Sequence, residues 1–363
     1  MKKICFVFNH LRHQDGVGRS AIAIANHLTR LNLAEVTLIP LFINDKKAYS
    51  LIDERVKVKP VFGMYFKGLS QFVHRLPMNW VRRFVIGKDV YDIEVAFQFG
   101  VSTRCIAATS RHSHASKYAW MHGYDEGLVL RDAYEKIGTV CCVSRCNAER
   151  LHKELPTIMV DYCYNPIDDE QVRKLGEETI DDVERPEGLL FITVGRLSPE
   201  KGFGRLLDII RRLKNEGKTL NLWIIGSGPL ESDLKQKRID LGLEHEVQFL
   251  GHKSNPHKYT SKADLFICSS YSEGYSTACT EAIMLGVPVV TTNVSGAEEI
   301  MEEAECGLLT QNDDESLFEG LKKVCDNPHL ICDWKKRLCE TSKRFSAEKR
   351  IQRLINLFEL REK

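Results

Sequence analysis

Short apolar runs alternate with amphipathic segments along most of this chain, and that alternation leaves few folds open. Residues 4–8, 36–42, 93–97, 118–121 and 140–143 are runs with too few polar positions to leave one face in water. Runs buried on both faces are the mark of parallel strands, and segments such as 20–30 and 145–154 read as the helices that cover them. A second series follows at residues 189–194, 220–225, 247–250, 265–268 and 287–291. Between the two lies NPIDDEQVRKLGEETIDDVERPEG, residues 165–188, polar and acidic, and residues 166–188 read as a linker. The expected fold class is α/β: two doubly wound, Rossmann-like domains, residues 1–165 and 189–345, facing a central cleft. Ser346 is placed to cap a last helix, 346–363, with Ile351, Leu354, Ile355 and Phe358 on one face, open to packing back on the N-terminal domain.

A length of 363 residues suits two domains. Lys and Arg number 51 against 50 Asp and Glu, a balance that argues against a general nucleic-acid binder. No apolar run is long enough for a spanning helix. MKKICFVF at the start is too short for a signal sequence and reads as a first strand. The chain is therefore expected in the cytoplasm, with its 12 cysteines reduced. They contain no C-x-x-C, so buried thiols are the better reading than zinc ligands.

Four stretches carry chemistry. GVGRSA, residues 16–21, fits the G-x-G-x-x-A pattern of dinucleotide loops, with Gly16 and Gly18 as the glycines. It starts seven residues late after the first strand, and Asp45 comes too late to be the usual ribose acid, so NAD fits poorly. A glycine turn opening a helix could hold another anion, and a plain strand-to-helix turn explains it as well. VGRLSPEKGF, residues 194–203, puts Gly195, Arg196 and Lys201 just past a buried strand, where two cations could clamp a diphosphate or simply line a solvated loop. IIGSGPL, residues 224–230, is a strand followed by a turn at Gly226, explicable by turn chemistry alone. In SSYSEGYSTACTEAIMLGVPVVTT, residues 269–292, Glu273 and Glu281 are separated by seven residues. A helix beginning at Ser276 or Thr277 would set one carboxylate in the loop and the other about one turn in. The free N–H groups of Tyr275, Ser276 and Thr277 would favour an anion. An ordinary solvated glutamate would suit the small and apolar neighbours of Glu281 poorly.

In this order, GVGRSA, GRLSPEKG, IIGSGP, EGYSTACTEA and LGVPVVTTNVSGAEEI resemble the retaining GT-B glycosyltransferases, specifically glycosyltransferase family 4. The likeness covers most of the second domain and the start of the first. It implies that Gly16 and Gly18 approach donor phosphates. It also implies that Arg196 and Lys201 stabilise the leaving diphosphate, that Glu273 holds hydroxyls of the transferred sugar, and that Gly274, Tyr275 and Ser276 form a backbone turn at sugar and phosphate. Glu281 would hold the nucleotide ribose, and His122, in YAWMHGYDE, would face the donor sugar. Tyr275-Ser276 stands where many relatives carry Phe and then Pro or Gly. The donor implied is a nucleotide sugar, a UDP-sugar foremost, with no other cofactor. The acceptor implied is a glycan or lipid-linked molecule of cell-surface polysaccharide or glycolipid synthesis. No D-x-D occurs, so no metal clamp for the diphosphate is expected, and cations with helix N-termini would serve instead. An epimerase or phosphorylase of the same fold, an NAD-dependent oxidoreductase and a non-catalytic glycan- or lipid-binding module remain as alternatives.

Residues 56–88 stand apart. Lys57, Lys59, Lys67, Arg75, Arg82, Arg83 and Lys88 occur there without a single Asp or Glu, interleaved with Phe62, Tyr65, Phe66, Phe72, Trp80 and Phe84. Such a segment fits an anionic membrane surface, on the inner face of a membrane, or an anionic acceptor. Aromatics in the core beside ordinary surface cations would give the same composition, and no nucleic-acid motif accompanies it.

Overall fold

The computed structural model describes residues 1–12, 16–62, 65–108, 114–124 and 129–360, apart from the side chain of Asn44. Residues 63–64 of the basic aromatic segment, 125–126 of YAWMHGYDE and 361–363 of the expected last helix lie outside that set, as do 13–15 just ahead of GVGRSA. The chain divides into two compact units, residues 1–167 with 347–363, and residues 168–346.

The first unit is built on strands β1 (Lys2–Leu11), β2 (Ala34–Asn44), β3 (Lys57–Val58), β4 (Ile93–Ala96), β5 (Ser116–Met121), β6 (Thr139–Cys142) and β7 (Met159–Tyr162). They form one sheet in the order β3-β2-β1-β4-β5-β6-β7, every pair parallel. The second contains β8 (Leu190–Val194), β9 (Asn221–Ile225), β10 (Val247–Gly251), β11 (Leu265–Cys268), β12 (Val289–Thr292) and β13 (Leu308–Thr310). Its order is β10-β9-β8-β11-β12-β13, again all parallel. The apolar runs are strands because both faces of each sheet are covered: Ile4–Val7 and Leu265–Ile267 are almost wholly buried, and helices pack over them.

Both sheets are doubly wound. The order reverses between β1 and β4 in the first and between β8 and β11 in the second. In such sheets the loops leaving the carboxyl ends of the two central strands diverge to opposite faces and open a crevice, the place where ligands bind.

Two differences from the sequence reading have physical causes. Residues 169–176, expected within a linker, form the helix Asp169–Gly176, capped by Asp168, whose Oδ1 accepts from Gln171 N at 3.0 Å. The helix packs within the second unit: a Cβ on Gly176 would meet the Leu285 side chain at 2.4 Å. The first helix runs Gly16–Arg30, so Gly16 and Gly18 form its first turn instead of a loop ahead of it. The last helix, Ala347–Leu357, belongs to the first unit, where Tyr118 Oη donates to Leu357 O at 3.1 Å.

Candidate functional site

The second switch point collects most of the singled-out residues. After β8 the chain passes through Gly195, Arg196 and Leu197 into a 3₁₀ turn, Pro199–Lys201, and the helix Phe203–Asn215. After β11 it passes through residues 269–276 into the helix Thr277–Met284. These loops are neighbours because their strands are. Gly202 lets them touch: its φ is +66°, and a Cβ there would lie 2.0 Å from Ser269 O. Tyr271 N donates to Glu200 O at 2.7 Å and Ser269 Oγ to Lys201 O at 3.1 Å.

The result is an ion pair. Lys201 Nζ lies 2.7 and 2.8 Å from the two carboxylate oxygens of Glu273, and Ser270 Oγ donates to Glu273 Oε1 at 2.6 Å. Burial pulls the Lys201 pKa down, but the Glu273 carboxylate outweighs it and holds the ammonium above its ordinary value. An ammonium has three donors, so the pair leaves Lys201 able to meet a further oxygen. Arg196 is exposed at the end of β8 and offers its fork to solvent.

Gly195 and Gly226 serve a third loop. A Cβ on Gly226 would lie 1.8 Å from Gly195 O, so the turn after β9 presses its backbone on the Arg196 loop. Leu197 N donates to Ser227 O at 3.0 Å, which fixes that contact. At the helix Thr277–Met284, Ser276 is the N-cap, with its Oγ accepting from Cys279 N at 3.3 Å. The Tyr275 side chain is buried. Glu281 is buried too, with His257 Nδ1 at 3.8 Å from its Oε2.

Arg205 was missed by sequence reasoning. Its Nε donates to Ser269 O at 2.7 Å, its Nη2 to Ser270 O at 2.6 Å and to Asn312 Oδ1 at 2.9 Å, and its guanidinium lies 3.9 Å from the Tyr271 ring centre. A guanidinium that satisfies two successive carbonyls fixes the loop that carries Glu273. The signal was present: Arg205 stands among Phe203, Leu206 and Leu207, where a charge needs a partner.

In the first unit, His122 follows β5. Its Nε2 lies 2.9 Å from Phe97 O, its ring meets the Phe97 ring edge-on at 4.8 Å, and burial pushes its pKa down to about 4. It is neutral at neutral pH. Asp45, the residue a dinucleotide fold would need on a ribose, accepts from Lys47 N at 3.0 Å as the cap of its own turn. Among the described residues no group of three or more His, Cys, Asp and Glu could hold a metal ion.

The basic aromatic segment is divided by the structure. Arg82 is no surface cation. It is 3% exposed, and its Nη2 lies 2.7 Å from both oxygens of Glu94, itself 1% exposed. Lys59 pairs with Asp89 at 2.7 Å, and Lys57 lies 3.9 Å from Glu35. Phe62 packs on the core, while Tyr65, Phe66, Phe72, Trp80 and Phe84 are exposed. No described helix is long and apolar enough to cross a membrane.

Comparison with known proteins agrees with this geometry. The family of glycosyl transferases group 1 matches residues 177–341, which take in both loops of the switch point. Over 302 residues the chain is 32% identical to the putative teichuronic acid biosynthesis glycosyltransferase TuaC of Bacillus subtilis, covering 77% of this chain and 75% of that protein. The chain belongs to the group 1 glycosyltransferases. This glycosyltransferase is also 34% identical over 188 residues to the N-acetylgalactosamine-N,N'-diacetylbacillosaminyl-diphospho-undecaprenol 4-alpha-N-acetylgalactosaminyltransferase of Campylobacter jejuni. That stretch is 51% of this chain and spans half, 50%, of the Campylobacter enzyme's length. Among solved structures, a Staphylococcus aureus TarM variant in complex with fondaparinux, alpha-GlcNAc-glycerol and UDP superposes with a TM-score of 0.75 at 13% identity, covering 99% of this chain and 100% of that one. The fold is GT-B, two Rossmann-like units with parallel sheets.

Proposed function

We propose that this glycosyltransferase moves a sugar from a nucleoside diphosphate sugar, a UDP-sugar foremost, to a glycan or lipid-linked acceptor in cell-surface polysaccharide or glycolipid synthesis. The observation that carries the reading is the Lys201–Glu273 pair at the second switch point, which sets a cation for phosphate beside a carboxylate for sugar hydroxyls. The UDP in the TarM complex and the acceptor in the Campylobacter enzyme's name support the choice of donor and acceptor class.

The step is a displacement at the anomeric carbon with retention. The bond from that carbon to the diphosphate oxygen breaks, and a bond to the acceptor oxygen forms on the same face. The acceptor's proton passes to the departing phosphate. Charge grows on the diphosphate as it leaves, and Arg196, Lys201 and the N–H groups of residues 274–277 stabilise it without a metal. Glu273 holds hydroxyls of the transferred sugar and Glu281 the ribose. Gly16, Gly18 and His122 keep the donor-side roles that the family resemblance gives them. The enzyme works in the cytoplasm, and the exposed part of residues 56–88 brings it to the inner face of a membrane.

A melting-temperature screen tests the donor. UDP or a UDP-sugar raises the transition and NAD does not; a shift with NAD alone overturns the reading. Product NMR with the responding donor checks retention, and turnover in EDTA checks metal independence.

A further inference from the structure

The transfer step above gives Glu281 the ribose and makes no use of the buried histidine beside it. Glu281 lies in the second turn of the helix Thr277–Met284, between Thr280 and Ala282, and is 7% exposed. A carboxylate buried to that degree is costly unless polar groups face it. His257 does: its Nδ1 lies 3.8 Å from Glu281 Oε2, and the residue is 4% exposed. A closure of about 0.6 Å brings the two atoms within hydrogen-bonding range. Polar contacts of binding sites commonly tighten by such amounts when a ligand is in place.

The chain fixes His257 from two sides. The residue opens a single helical turn, His257–Thr260, ahead of β11. Asn255 ties that turn down: its Oδ1 accepts from His257 N at 3.0 Å, and its Nδ2 donates to Leu175 O at 2.9 Å and to Glu178 Oε2 at 2.8 Å. Just past the turn, Ser261 Oγ donates to Gly176 O at 2.6 Å. Within it, Tyr259 Oη donates to Asp182 Oδ1 at 2.7 Å, and the Tyr259 ring meets Trp223 edge-on at 6.1 Å. Gly176 closes the arrangement. A Cβ there would lie 3.8 Å from His257 O and 2.4 Å from the side chain of Leu285, one residue past the helix that carries Glu281. The end of the helix Asp169–Gly176 is thus wedged between the two backbones that present His257 and Glu281. A side chain on so constrained a backbone is suited to hold another in place.

We infer that His257 is a positioning residue, which orients the Glu281 carboxylate for the ribose hydroxyls and so makes the enzyme select ribonucleotides over deoxyribonucleotides. With its hydrogen on Nδ1, the imidazole donates to Oε2 and fixes the plane of the carboxylate. The ribose hydroxyls then donate to a carboxylate already aligned, where a freely turning one would lose part of that gain to ordering. The inference rests on the proposed ribose role of Glu281 and adds what holds that carboxylate in place.

Calorimetric titration of the full-length protein with UDP and with dideoxy-UDP, which lacks both ribose hydroxyls, reads those hydroxyls by themselves. The parent should prefer UDP by roughly tenfold or more, the effect of hydrogen bonds to a charged group. His257→Phe keeps a ring of similar size; it should bring the preference near parity by weakening UDP, with the affinity for dideoxy-UDP unchanged. His257→Asn, whose amide nitrogen stands where Nδ1 was, should retain most of the preference, and His257→Gln, whose nitrogen reaches the Nε2 position, should not. Glu281→Gln should abolish the preference, and adding His257→Phe to it should cost nothing further. If Glu281→Gln loses the preference and His257→Phe keeps it, the inference is overturned. A loss of equal size for both nucleotides in His257→Phe, or a Gln variant that performs as well as Asn, overturns it too, because each marks a residue that only fills space. A Glu281→Gln variant that keeps the preference overturns the ribose role itself, and a parent that binds neither nucleotide overturns the donor reading, so the three failures are told apart.

Discussion

Lys201 ties the two loops of the second switch point together through Glu273 and, in the proposed reaction, also meets the leaving diphosphate. Its ammonium is stabilised by Glu273, so its raised pKa means that the charged form persists through neutral pH and is lost only in strong alkali. Any fall in turnover between pH 6 and 9 must therefore come from another group. Lys201→Ala should lower kcat by at least roughly tenfold, about 1.4 kcal/mol of transition-state stabilisation, with a smaller change in UDP affinity. Glu273→Ala should also act on turnover, whereas Glu281→Ala should weaken UDP binding first; calorimetric titration beside kinetics separates them. Equal, small effects from both would leave the pair without a role in transfer. His122 supplies a second residue-scale test. Its pKa falls from 6.5 to about 4 in the folded chain, so between those values the unfolded chain binds the extra proton. Stability should thus fall as pH drops through that window, by at most about 3 kcal/mol. In urea titrations at pH 7 and pH 4.5, His122→Asn should lose less stability than the parent.

At the scale of elements, the strands and the switch points follow from what the chain makes plain, and the corrections from what it does not. Apolar runs announce strands buried on both faces, so β1, β2, β8 and β11 lie close to where the pattern puts them. The edge strands β3, β7 and β13 are short and only partly buried, and they carry no such pattern. Lys201 and Glu273 stand 72 positions apart, and only the strand order makes them neighbours. The Asp168 cap was readable, but an acidic run between two domains resembles a linker as much as a helix start. Arg82 shows the opposite failure. Composition counts it with the surface cations, while the structure buries it between the helix Met78–Val85 and β4 on Glu94. Removing one partner of a buried ion pair strands the other charge, a cost of roughly 3–5 kcal/mol. Arg82→Met should therefore lower the melting temperature sharply, and Arg82→Met/Glu94→Leu should recover much of the loss. A single variant as stable as the parent would mean that the pair is hydrated in solution.

The chain leaves its first unit at residue 167 and returns to it at 347, so that unit is finished only by the last stretch of sequence. The helix Ala347–Leu357 buries Ile351 and Leu354, and Phe358 follows with its ring 4.8 Å from Tyr118 and 6.5 Å from Phe6. Polar contacts fix its seat: Lys2 Nζ donates to Phe358 O at 2.8 Å, and Arg353 lies over the Tyr162 ring at 3.6 Å and pairs with Asp161. Withdrawing three large apolar side chains costs roughly 5–9 kcal/mol at about 1.5–3 each, comparable with the whole stability of a domain at about 5–15 kcal/mol. It would also bare Phe6 and Tyr118 on the face they leave. The β8–β13 sheet and the Lys201–Glu273 pair of the second unit lie within residues 168–346. A protein ending at residue 346 should therefore show one calorimetric transition that UDP still raises. The transition of the first unit should be missing, and its amides should exchange freely with deuterium. Survival of both transitions at their original temperatures would mean that the last helix only rests on the first unit, and that the first sheet is stable without it.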